Sequence, residues 1–146
     1  MTSADPRAQA TAQTLVVEFD LAHAPAKVWR ALTEPELLAE WLLPALDFRL
    51  EPGAAFMFRT QPYPGWDGTV NCRVLEIEPQ RKLSYTWTVP FLETVVTFIL
   101  APSNAGTHLT IVQSGFTATQ KREFGGARYG WNMMGGKLVD LLRRLP

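Results

Sequence analysis

The sequence predicts an α+β fold in which a curved antiparallel sheet grips one long C-terminal helix. Three observations predict it. Between residues 68 and 115, apolar-rich segments with period-two alternation follow one another, separated only by turn residues. After Phe116 the apolar period becomes helical and carries Trp131. Near the start, Pro25-Ala26-Lys27-Val28-Trp29 and then Pro35 to Trp41 read as two short helices behind a single strand. A curved sheet cannot close flat against one helix, and the gap that remains can hold a small apolar molecule.

The first strand is expected over residues 14–22, where Leu15, Val17, Phe19 and Leu21 alternate with Val16, Glu18 and Asp20. Pro25 suits a first helical position, because its fixed φ fits and its missing N–H would be unpaired there anyway. That helix should run to about Leu32. A second starts at Thr33-Glu34-Pro35-Glu36 and ends near Trp41. Strands are expected at 45–50, 54–60, 69–78, 82–88, 93–101 and 107–115, which makes seven with the first. Short connections make sequential strands antiparallel neighbours.

The connection from Gln61 to Gly68 holds Pro62, Pro64 and Gly65, which forbid regular structure, yet it carries Tyr63 and Trp66. The closing helix spans about 119–145, with Phe124, Trp131, Met134, Leu138, Leu141, Leu142 and Leu145 near one stripe. Gly125, Gly126, Gly130, Gly135 and Gly136 weaken it by roughly 0.5–1 kcal/mol each relative to alanine. Close approach of helix to sheet is the expected reason for them.

Size and charge narrow the function. The 146 residues suit one domain, 14–146, behind a mobile N-terminal tail, 1–13, that is small, polar and aperiodic. A chain of this length buries roughly 70% of its unfolded surface. Its 14 basic and 14 acidic residues form no single-sign run, so a nucleic-acid-binding face is not expected. The N-terminus has no apolar stretch of signal-peptide type, and the segment 41–46 is too short to insert in a membrane and contains Pro44. The single cysteine, Cys72, excludes an internal disulfide. These features together lead us to expect a cytoplasmic protein.

Several segments carry a family likeness. They are Ala24-Pro25-Ala26-Lys27-Val28-Trp29-Arg30-Ala31-Leu32-Thr33, Pro35-Glu36-Leu37-Leu38-Ala39-Glu40-Trp41 and Val74-Leu75-Glu76-Ile77-Glu78-Pro79. Leu83-Ser84-Tyr85-Thr86-Trp87, Gly106-Thr107-His108-Leu109-Thr110 and Gly130-Trp131 continue the series. In this order the chain resembles the homologues of the activator of the ninety-kilodalton heat-shock protein's ATPase, within the START-like, or SRPBCC, superfamily. The resemblance implies a helix-grip (birch-pollen-allergen-like) fold with a seven-stranded sheet, two short helices after the first strand and a long C-terminal helix. Superfamily members bind lipids, hormones and polyketides, and some act as cyclases. The chain departs from the pattern at Pro52-Gly53-Ala54, where two glycines are common in the family. It also lacks the separate N-terminal domain of the eukaryotic co-chaperone, so chaperone activation is not expected.

Alternation assigns Phe19, Phe56, Phe58, Leu83, Tyr85, Trp87, Val96, Phe98, Leu100, Leu109, Ile111 and Gln113 to the sheet face that meets the closing helix. The candidate ligand-binding residues are Trp41, Phe56, Phe58, Tyr85, Trp87, Phe98, Gln113, Arg128, Trp131 and Met134. Ligand pockets are mostly apolar with a few orienting polar groups, which Tyr85, the tryptophans and Gln113 would supply. Arg128, one turn before Trp131, offers a cation for an anionic ligand. Tyr63 and Trp66 form either a lid or a patch for a protein partner.

No catalytic residue, metal site or cofactor is expected. His23 and His108 fall at outward positions, and no carboxylate stands at a local spacing to orient either ring. Ser114 lacks the glycines of a nucleophile elbow, and Cys72 between Val70 and Val74 reads as an inert buried thiol. The expected function is therefore non-covalent binding of a small hydrophobic or amphipathic molecule. The alternatives are a cyclase- or hydrolase-type enzyme that works by shaping its substrate, and a co-chaperone-like interaction module.

Overall fold

The computed structural model describes residues 13–62 and 64–146. The expected tail therefore lies outside the described residues up to position 12, while Gln13 opens the first strand. Tyr63 lies outside them as well. The elements are β1 (Gln13–Leu21), α1 (Pro25–Thr33), α2 (Pro35–Trp41), β2 (Ala45–Leu46), β3 (Ala55–Arg59), β4 (Thr69–Glu78), β5 (Lys82–Val89), β6 (Leu92–Ser103), β7 (Gly106–Phe116) and α3 (Lys121–Arg144).

The strands form one seven-stranded antiparallel sheet in the order β1-β7-β6-β5-β4-β3-β2. All joins but one link consecutive strands. The exception is β1 on β7, where Phe19 lies opposite Leu109 and Asp20 opposite His108. Both short helices begin with proline at the first turn, as their sequence suggests.

Two details bend the sheet. A bulge shifts the β4–β5 register between Val74 and Glu76, which adds local twist and turns Leu75 outward. At the β2 edge the expected strand 45–50 shortens to Ala45–Leu46. Asp47 there adopts φ 61°, a left-handed conformation that no strand can continue through. The turn before β3 places its positive φ on Gly53, and Ala54 is buried with its carbonyl accepting from the Val74 amide.

Of the twelve residues assigned to the inner sheet face, ten are buried, and Phe19 and Trp87 are half-buried. The helix contributes Trp131, Gly135, Leu138, Leu141 and Leu142, all buried. Beside them lie Leu38 and Trp41 of α2. At Gly135 an added Cβ would run into the ring of Phe19, so glycine there does permit close helix–sheet approach. The other four helical glycines have no such reason. A Cβ at Gly125, Gly126 or Gly136 would meet nothing within 4 Å, and at Gly130 only the Met134 methyl, at 3.8 Å. The expectation that packing explains all five is corrected to one.

Candidate functional site

The part of the expected gap that Phe56, Phe58, Tyr85 and Phe98 were to line is filled. Phe56, Phe58, Tyr85 and Phe98 pack edge-on or tilted against one another, with centroids 5.1–5.9 Å apart in the contacts Phe56–Phe58, Phe56–Tyr85, Phe58–Tyr85 and Tyr85–Phe98. Trp41 closes this cluster against Phe98, and its indole N–H donates to the Ala31 carbonyl at 2.8 Å. These five side chains are at most 3% exposed. Tyr85 is the irregular member: its hydroxyl is buried without a hydrogen-bond partner, and desolvation, helped by Cys72, pushes its pKa well above the usual range. Burial likewise pushes the Cys72 thiol up to about 12.

The open space lies toward one end, between the first half of α3 and the far rim of the sheet. A cleft of about 640 Å³ is lined there by Trp66, Trp87, Val89, Phe91, Leu92, Gln113, Arg122, Glu123, Gly126, Ala127, Gly130, Trp131 and Met134. One wall is α3. The other is built by the ends of β5 and β6, the turn between them and the β3–β4 loop. Trp87 and Trp131 meet at the bottom with centroids 5.6 Å apart. Trp66 stands at the rim, its indole N–H donating to the Thr69 carbonyl at 2.9 Å. Its loop is shaped by Gly68, whose φ of 87° and lack of a Cβ let the chain run against the Thr60 carbonyl.

Gln113 anchors the floor and is 2% exposed. Its side-chain oxygen accepts from the Trp131 indole at 2.8 Å, and its nitrogen donates to the Thr94 hydroxyl at 2.9 Å. Thr94 passes the chain on to the Trp87 carbonyl at 3.0 Å. A buried polar side chain needs such partners, and together they hold the Trp131 indole and tie it to the backbone at Trp87.

Five of the residues singled out by sequence, Trp66, Trp87, Gln113, Trp131 and Met134, thus come together at the cleft. Trp41, Phe56, Phe58, Tyr85 and Phe98 do not reach it. Arg128 does not line it either; its guanidinium sits 5.4 Å over the Phe124 ring on an exposed part of the helix. Its place at the cleft is taken by Arg122 and Glu123, one to two turns earlier. Sequence reasoning also missed Val89, Phe91 and Leu92, which read only as a strand boundary, and Thr94, whose buried partner Gln113 is visible only once β6 and β7 are paired.

His108 corrects a further expectation. Its Nδ1 is 2.8 Å from Asp20 and its Nε2 2.8 Å from Glu18, so two carboxylates orient the ring on the outer sheet face. Both hydrogen bonds raise its pKa. His23 goes the other way: desolvation first, then the nearby Lys27 and Arg143 charges, lower its pKa. Among the described residues no group of three or more histidine, cysteine and acidic side chains is arranged to hold a metal ion. No described helix is long and apolar enough to cross a membrane.

A seven-stranded antiparallel sheet around a long C-terminal helix, with two short helices after the first strand, is the architecture that the resemblance implied. Residues 22–143 match the family model described as activator of Hsp90 ATPase homolog 1-like protein, and the chain belongs to that family. Among solved structures it is similar to protein MLL2253 from Mesorhizobium loti, with 43% identity and a TM-score of 0.85, covering 92% of this chain and 99% of that one. Protein NE0264 from Nitrosomonas europaea is 28% identical with a TM-score of 0.77, over 90% of this chain and 94% of that one. Protein CV1439 from Chromobacterium violaceum is 26% identical with a TM-score of 0.72, over 88% and 96% of the two chains. No curated protein matches the chain in sequence.

Proposed function

We propose that this protein binds a small apolar or amphipathic molecule non-covalently in the cleft between the first half of α3 and the β5–β6 rim. The observation that carries the reading is an open, tryptophan-lined space of about 640 Å³ beside a core that is otherwise filled. Its size falls in the range of small-molecule sites, and it combines apolar walls with one buried amide. Trp87, Trp131 and Met134 form the apolar floor in this proposal, Gln113 orients the ligand, and Trp66 acts as a lid at the rim. Arg122 and Glu123 at the mouth would meet the polar end of an amphipathic ligand.

Native mass spectrometry of freshly purified protein, followed by titration with an apolar fluorescent probe, tests this. The expected result is a saturable 1:1 complex whose probe is displaced by the co-purified molecule. Trp87→Ala should weaken probe binding about tenfold or more, since aromatic anchors dominate binding energies. Probe binding that is unaffected by Trp87→Ala and by Gly126→Leu would place any ligand elsewhere and end this reading.

A further inference from the structure

One group in the cleft remains unspent. An indole N–H can only donate, so the Gln113 atom 2.8 Å from Trp131 is the carbonyl oxygen, and the amide nitrogen must face Thr94. That nitrogen carries two hydrogens. One goes to the Thr94 hydroxyl, which is in turn committed to the Trp87 carbonyl. The second has no partner among the described residues, although the side chain is 2% exposed and lines the cleft. A buried donor left unpaired costs free energy, and an acceptor arriving with a ligand would recover it.

The surroundings restrict that acceptor. Among the described residues, the only charged side chains lining the cleft, Arg122 and Glu123, are one of each sign and both belong to the first turn of α3, away from the floor. A carboxylate brought against Gln113 would lose its hydration without gaining a cation. The walls restrict the rest of the molecule. Trp66, Trp87 and Trp131 line the cleft, while on α3 Gly126 and Gly130 contribute no side chain to it. Aromatic rings favour other rings in offset or edge contact.

Building on the binding reading above, we infer that the cleft takes a neutral, ring-bearing molecule whose leading edge carries a carbonyl-type acceptor for the second N–H of Gln113. Gly126 sets how thick that ring system can be. Chemically this means ketones, lactones, esters or amides of cyclic frameworks, rather than free fatty acids or unsubstituted hydrocarbons.

Three compounds on one tricyclic frame test it by isothermal titration: fluorene, 9-fluorenone and fluorene-9-carboxylate. Fluorenone should bind about tenfold more tightly than fluorene, equivalent to about 1.4 kcal/mol, with the carboxylate weakest. In Gln113→Leu the fluorenone-to-fluorene ratio should fall to about one. Because the ratio is taken within one variant, loss of affinity common to both compounds does not affect it. Should Gln113→Leu fail to fold, the side-chain amide resonances of the unmodified protein serve instead. One Gln113 N–H should shift with fluorenone and not with fluorene.

Gly126→Leu should abolish binding of all three compounds, and Gly125→Ala should leave it unchanged. Equal affinity for fluorenone and fluorene in the unmodified protein would overturn the acceptor inference and leave the binding proposal standing. Tightest binding of the carboxylate would overturn it in favour of recognition by Arg122. Failure of all three to bind, with the apolar probe also excluded, would overturn both.

Discussion

From Trp131 onward α3 buries Trp131, Gly135, Leu138, Leu141 and Leu142, whereas from Lys121 to Gly130 no residue is fully buried. The later half lies against α1, α2 and β1, with Gly135 pressed on Phe19. The earlier half is held by lighter means. Phe124 meets Phe116 edge-on at 5.2 Å, and the Gln120 amide donates to the Phe91 carbonyl at 3.0 Å. Three glycines fall in those ten residues, and none is required by a neighbour. One continuous helix thus serves as a welded core element and as the thin wall of a cleft. Its anchored half positions the other without filling the space beneath it. Local stability follows buried contact, so the two halves should open with different free energies.

Trp131 sits at the junction, and removing it should have the largest effect. Trp131→Ala is expected to cost about 3–5 kcal/mol in urea melts, because the indole is nearly fully buried and its loss leaves a cavity between Trp87 and Phe98. A cost below about 2 kcal/mol would place the junction on the loose side of the comparison. Trp131→Phe keeps most packing but strips the Gln113 oxygen of its donor, for a smaller cost of about 1–3 kcal/mol.

The glycines give the sharpest contrast, since one substitution should change sign along the helix. Gly135→Ala should destabilise by about 1–3 kcal/mol, as the new methyl forces the Phe19 ring to move. Gly125→Ala and Gly136→Ala meet open space and should stabilise by about 0.5–1 kcal/mol through helix propensity alone. Thermal melts of the three variants decide it. If Gly135→Ala were also stabilising, the welded half would be looser than its burial indicates.

Between these in size stands Tyr85→Phe, in the filled region under the helix. It removes a buried hydroxyl that has no partner, so stability should hold or rise by about 1 kcal/mol. A loss of more than that would mean that the hydroxyl is satisfied in solution, for instance by a trapped water.

Much of the fold was legible because strands and helices announce themselves locally. Period-two alternation set the inner faces of β1 and β5–β7, and proline placed both short helices. The site was less legible for a physical reason that Tyr85 and Trp87 illustrate. They share a strand and a phase, two residues apart, yet Tyr85 is wholly buried while Trp87 is half-buried on the cleft. Alternation identifies a face, but not where along the strand the covering helix thins. Gln113 was found because a lone amide in an apolar row always demands partners. Asp47 escaped because nothing in its neighbours signals a left-handed backbone. Glu18 and Asp20 escaped as partners of His108 because they lie 90 and 88 residues away.

That cluster gives the smallest effect, and it acts on the welded side alone. His108 bridges β7 to β1, and β1 is the strand whose Phe19 supports Gly135. A neutral imidazole has one N–H and can satisfy only one of the two carboxylates, whereas the imidazolium satisfies both. The folded-state pKa is accordingly raised above its ordinary 6.5, with the Asp20 and Glu18 hydrogen bonds as the leading causes. A raised folded pKa means that the native state holds the proton more tightly than the unfolded chain does. The stabilisation is therefore fully present below about pH 6.5 and is lost as pH rises through the folded value. His23, with its lowered pKa, contributes the opposite slope, so His108→Gln must be compared with unmodified protein at each pH. The difference in melting temperature should be greatest near pH 5–6 and vanish by about pH 9. Hydrogen exchange should quicken in β1 as His108 loses its proton, while amides of residues 121–130 stay unchanged. A pH-independent difference between the two proteins would show that the bridge is geometric rather than ionic.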